Sequence, residues 1–120
     1  MTDGHLKIGE LGEDKAAQML TNKGYKIIER NNENKYGEID IVAMDGREIV
    51  FVEVRSKTGT NFGLPEETVN YRKKRKLIRN AKRYIKYKNI DNSYRIDVVG
   101  IVFDDNKKMK RIRHYKNITL

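Results

Sequence analysis

GEIDIVAMDGREIVFVEVR, residues 37–55, reads as two strands around a turn. Gly37 to Met44 and Glu48 to Arg55 are rich in β-branched residues, and Asp45-Gly46 is a two-residue hairpin signal. With those two residues as the turn, Met44 faces Arg47, Asp40 faces Phe51 and Glu38 faces Glu53. Side chains alternate along a strand, so Glu38 and Asp40 share one face, as do Glu53, Arg55 and Lys57. Opposed residues project to the same side of a sheet, so all five lie on one face. Opposed pairs are separated by about 5 Å and diagonal pairs by about 7–8 Å.

Such a face is unfavourable without compensation. Like charges opposed across strands destabilise a sheet. Glu53 also interrupts an apolar run, IVFVEV, that has the composition of a central buried strand. An unpaired carboxylate there costs on the order of several kcal/mol. Two compensations are open. Arg55, Lys57 or a basic helix residue can pair with Glu53, leaving Glu38 at the solvent edge. Alternatively, a divalent cation can turn the repulsion into coordination, since magnesium prefers oxygen ligands and takes one or two carboxylates plus water.

Around this hairpin the spacing predicts a helix from Leu6 to Lys23, with Ile8, Ala16, Ala17 and Leu20 on its apolar face and Gly24 as its stop. A short strand is expected at Tyr25–Arg30, then a polar loop at Asn31–Lys35. Ser56–Pro65 reads as a long loop, and Glu66–Lys88 as a helix with Val69, Leu77, Ile78, Ala81, Tyr84 and Ile85 as its apolar positions. Tyr94–Phe103 is a buried strand, Asp104–Asn106 a turn, and Met109–Leu120 a basic edge strand. The order is α-β-β-β-α-β with a further β, in one α/β domain spanning 1–120 with a mixed sheet. No phosphate-cradling glycine motif is present.

The 120 residues hold 26 lysines and arginines against 17 acids, a formal charge of +9. A surplus of this size attracts polyanions: nucleic acid first, then anionic lipid or an acidic protein. The absence of cysteine excludes disulfides, thiolate metal sites and cysteine nucleophiles. The N-terminal segment does not read as a signal peptide, and no apolar run reaches membrane-spanning length. The expectation is a cytoplasmic protein with no membrane partner. Tyr71 to Lys88 carries ten lysines or arginines and no acid. A basic run is by default a solvated face, but helices normally intersperse acids for i,i+4 pairing. The one-sidedness marks Arg72, Lys73, Lys74, Arg75, Arg79, Lys82 and Arg83 as a phosphate-contacting face. Tyr71, Tyr84 and Tyr87 are candidates to stack on bases, although the spacing of Tyr84 puts it in the core. His5 and His114 stand alone near the two ends and receive no role.

GEIDIV (37–42) followed by FVEVRSK (51–57) resembles the YraN family of bacterial predicted endonucleases, which is similar to archaeal Holliday junction resolvases within the restriction-endonuclease-like superfamily. The resemblance also takes in Gly12, Glu13, Ala16 and Ala17, then Lys23-Gly24-Tyr25, Gly63, Lys73 and RIDVV at 95–99. It implies a restriction-endonuclease-like mixed sheet flanked by helices. It further implies a metal-dependent nuclease hydrolysing phosphodiester bonds in structured or branched DNA, with DNA favoured over RNA. Asp40 and Glu53 would hold Mg2+ or Mn2+, with Glu13 joining directly or through water. Arg55 stands where the superfamily has lysine, and arginine stays protonated and cannot act as a base. It can still stabilise charge on a phosphate, and Lys57 on the same face can substitute. Lys73 becomes an auxiliary active-site residue, and Asp97 a structural hydrogen-bond acceptor. A homodimer would suit a junction-cutting enzyme, because two symmetric strands need two sites. The alternative is a non-catalytic basic nucleic-acid-binding module in which Arg55 is the sign of a decayed site.

Overall fold

The computed structural model describes residues 7–119. Helix α1 (Ile8–Asn22) is followed by strands β1 (Lys26–Asn34), β2 (Gly37–Asp45) and β3 (Glu48–Thr58), a 3-10 turn (Pro65–Thr68), helix α2 (Tyr71–Tyr87), and strands β4 (Tyr94–Phe103) and β5 (Met109–Tyr115). The five strands form one sheet in the order β1-β2-β3-β4-β5, antiparallel except for the parallel β3–β4 pair at its centre. This is the mixed sheet flanked by helices that the sequence predicts, with the second helix in the crossover that a parallel pair requires.

Each helix covers one side of the sheet. Leu11, Ala16 and Leu20 of α1 pack with Val50, Val52, Val99 and Ile101. Leu77, Ala81 and Tyr84 of α2 pack with Ile49, Phe51 and Ile96. The central strands are therefore buried on both faces and read as continuous apolar runs rather than alternating ones.

Four boundaries differ from expectation. Asn31–Lys35 is not a loop: β1 continues to Asn34, and only Lys35 and Tyr36 turn. An edge strand pairs on one side alone and so tolerates polar residues; the irregularity shows instead as a register shift between Ile27 and Glu29. Ser56–Thr58 belongs to β3, because β4 continues alongside it to the Thr58–Phe103 pair. The helix expected from Glu66 begins at Tyr71, where the Asn70 side chain accepts the Lys73 N–H at 2.9 Å and caps it. The last strand ends at Tyr115; Leu120, like Leu6 and His5, lies outside the described residues.

The hairpin register is also corrected. Gly46 and Arg47 form the turn, with Gly46 at φ +63°, and Asp45 pairs with Glu48. Phe51 therefore opposes Val42 rather than Asp40. The slide is two residues, an even number, so alternation is kept through the paired stretch; beyond it Ile39 packs with Val42 on the α2 side.

Gly100 of β4 lies directly under Glu66 of the 3-10 turn, and a Cβ there would run into the Glu66 carboxylate. That carboxylate cannot swing away easily, since it accepts from Arg111 Nη2 at 2.6 Å and Tyr115 Oη at 2.7 Å. Gly100→Ala is expected to lower the urea midpoint by an amount equivalent to about 1–3 kcal/mol, the usual cost of overpacking. An unchanged midpoint would show that the turn is not seated on β4 as described.

Candidate functional site

The β2–β3 ladder runs from Asp45–Glu48 to Ile41–Val52 and stops. Beyond that point β2 stays with β1 as far as Gly37, and β3 stays with β4 as far as Thr58. The sheet forks, and one step past the last pair stand Asp40 and Glu53. Asp40 Oδ2 accepts the Val54 N–H at 2.8 Å, taking the place of a ladder partner. A fork is reachable from both sides of a sheet: Glu13 arrives from α1 and Lys73 from the start of α2.

One carboxylate oxygen each from Glu13, Glu38 and Asp40 lie within 4.8 Å of one another. Glu13 is buried, Asp40 half-buried and Glu38 exposed. These three line a cleft of about 480 Å3 together with Asp14, Arg30 and Val54. Arg30 bridges Glu13 at 3.2 Å and Asp14 at 2.7 Å. Glu53, 5% exposed, stands beside this group but is engaged by Arg55 Nη2 at 2.8 Å and Lys73 Nζ at 3.3 Å. Arg55 Nε is buried with no partner among the described residues.

Burial, the negative charge of Glu53 and a hydrogen bond with Glu53 push the Asp40 carboxyl up to about 8, against the pull of the Val54 N–H. Glu38 is raised as well, by burial first and then by Glu33, Glu13 and Glu53, with Lys73 opposing. The cluster thus holds more negative charge than the chain neutralises, which makes loss of the Asp40 proton harder than for an ordinary carboxyl. The donor set fits a hard divalent ion: the donors are all oxygen, and there is open space for water ligands.

Of the residues predicted from sequence, the structure gathers Glu13, Asp40, Glu53, Arg55 and Lys73. Lys57 Nζ lies 3.4 Å from the Phe62 carbonyl and, among the described residues, forms no ion pair with the cluster. Glu38, read from sequence as an edge residue, contributes an oxygen to the cluster; its i, i+2 spacing from Asp40 was the available signal. On α2, Arg72, Arg75, Arg79, Lys82 and Arg83 are exposed and Lys74 is half-buried. Among the described residues none of these six forms an ion pair with a carboxylate, so the outer face of the helix is uncompensated positive charge.

His114, to which the sequence assigned nothing, has Nε2 2.8 Å from Asp97 Oδ2. Asp97 is fully buried and also accepts from Arg95 Nε at 3.0 Å and the Asn117 N–H at 2.9 Å. Burial pushes its carboxyl up, but these donors outweigh burial and hold it below the usual range. Asp97 is therefore the structural acceptor expected. Arg95 extends the network to Asp45 at 3.0 Å and Glu48 at 2.7 Å.

Fold and site together define a small α/β protein with a carboxylate cluster in a fork of its sheet and a cationic helix beside it. No helix among the described residues is long and apolar enough to cross a membrane. The chain belongs to the UPF0102 family: residues 12–101 match the description "Uncharacterised protein family UPF0102". It is 41% identical over 118 residues to a UPF0102 protein of Pelotomaculum thermopropionicum, covering 98% of each chain. It is 44% identical over 110 residues to one from Persephonella marina, covering 91% of this chain and 90% of that one. A third, from Desulforamulus reducens, is 43% identical over 113 residues, 92% of this chain and 93% of its own.

Proposed function

We propose that this chain is one nuclease-like unit that hydrolyses phosphodiester bonds in structured or branched DNA with a divalent cation. The observation that carries the reading is the fork, which holds Glu13, Glu38 and Asp40 together at the foot of a helix with uncompensated positive charge. These three carboxylates, with Glu53 alongside, would hold Mg2+ or Mn2+. When bound, such an ion supplies an acidified water and neutralises charge at phosphorus. Lys73 and Arg55, which pair with Glu53, would donate to a phosphate oxygen, with Arg55 serving charge and not proton transfer. Lys57 is a contact at the rim. The exposed face of α2 holds the sugar-phosphate backbone, so affinity falls steeply with salt. A homodimer would place two such sites on two strands.

One observation favours a second reading, a non-catalytic binding module. Glu53 is already neutralised by Arg55 and Lys73. Cleavage assays on four-way junctions, flaps and single strands separate the two. Cleavage is expected with magnesium or manganese and none with EDTA. Folded protein that binds these substrates and cuts none of them with either metal would leave only the binding module.

A further inference from the structure

The β1–β2 hairpin ends at Lys35–Tyr36, and its tip leans on α2. Arg83 lies over the Tyr36 ring, its Cζ 3.1 Å from the ring centre, and Asn34 Nδ2 donates to Asn80 Oδ1 at 3.2 Å. Between tip and helix is a cleft of about 450 Å3. Tyr84 is its buried floor, with the hydroxyl donating to Glu29 at 2.8 Å. Tyr36 and Tyr87 stand at the mouth, 41% and 85% exposed. Lys88 Nζ lies 5.7 Å and 5.8 Å from the Tyr84 and Tyr87 ring centres.

Three rings and two cations around a cleft of this size suit a flat aromatic ligand that carries negative charge nearby. The outer face of α2 supplies the charge argument, because it complements a polyanion along its whole length. Glu33 also lines the cleft and repels phosphate while offering an acceptor to an N–H group. A base in the cleft would leave its phosphates on the helix. A base in a duplex cannot enter, since its faces are covered by neighbours and its edge is paired; an unpaired base has a π-face to give.

Building on the nucleic-acid reading above, we infer that the Tyr36–Tyr87 cleft binds an unpaired nucleotide, so that the protein selects DNA with a single-stranded segment. Lys73 at the fork and Arg83 at the cleft are ten residues apart on α2, about 15 Å along the helix. That is at most about four nucleotides, since the stacked duplex spacing is about 3.4 Å and an unpaired strand is more extended, so the unpaired base lies a few nucleotides from the phosphate at the carboxylates.

The test is equilibrium binding of the full chain in EDTA to a labelled oligothymidylate and to a duplex of equal length, by fluorescence anisotropy. Tyr87→Ala and Tyr36→Leu are expected to weaken oligothymidylate binding about tenfold each, in the range of one lost base–aromatic stack. Duplex affinity should stay within twofold and the salt slope unchanged. Tyr87→Phe, which keeps the ring, should bind like wild type. Tyr87 is exposed and Tyr36→Leu keeps an apolar group under Arg83, so both variants should fold, which circular dichroism checks. Equal loss on both probes, or loss on neither, overturns the cleft assignment while leaving nucleic-acid binding standing. Wild-type protein that binds neither probe at low salt, but does bind polyglutamate, would overturn the nucleic-acid reading itself.

Discussion

Asp40→Asn is expected to reduce divalent-dependent cleavage by roughly a thousandfold or more. A cation contributes several kcal/mol of charge stabilisation at a phosphate, and about 1.4 kcal/mol is tenfold in rate. The same change should make the metal-free protein more stable at neutral and alkaline pH. Asp40 has a folded-state value near 8 against an ordinary 3.8. The folded state therefore binds the extra proton between these values, and stability falls as the pH rises from about 4 to about 8. Asparagine has nothing to ionise, so the Asp40→Asn variant should lose this slope. Magnesium should flatten the slope in wild type, since the cation replaces the proton. Thermal melts at several pH values, with and without magnesium, read both effects. A variant that cleaves like wild type, or that keeps the wild-type slope, would remove Asp40 from the cluster's chemistry.

Asp97→Ala should be the most damaging change away from the fork. It leaves Arg95 and His114, both largely buried, without their shared carboxylate. Breaking a buried ion pair by removing one partner costs about 3–5 kcal/mol, which for a chain of this size is roughly 10–20 °C in Tm. Asp97→Asn, which keeps an acceptor but not the charge, should fall between wild type and alanine. A melt within a few degrees of wild type for Asp97→Ala would show that the network adds little to stability.

Element types were legible in the sequence because strong patterns carried them. Tyr94–Phe103 is bounded as expected because an uninterrupted β-branched run fits only a strand covered on both faces. That Asp40 and Glu53 stand next to one another was legible, because either turn leaves them opposed or one diagonal apart. The register itself was not, since Asp45-Gly46 and Gly46-Arg47 are both credible turns. What favours the second is distant in sequence: Arg95 on β4 reaches both Asp45 and Glu48 across the turn. Distance along the chain also hid His114, whose partner Asp97 is 17 residues away. Glu38 shared a face with Asp40 by its i, i+2 spacing, but its place at the solvent edge argued against membership of the cluster. In a fork an exposed residue and a buried one can reach the same point.

The fork also bears on the order in which the chain can assemble. A hairpin zips from its turn, and here it zips through Asp45–Glu48 to Ile41–Val52 and stops one step before Asp40 meets Glu53. Acid thus opposes acid at the turn and again at the open end. Arg55 on the same strand relieves Glu53, but the other cations are remote: Arg95 arrives only with β4, and Lys73 only with α2. The hairpin, local as it is, therefore carries charge that only later elements relieve in full. Its charge thus ties the stability of a local hairpin to the long-range crossover that brings β4 and α2 against it.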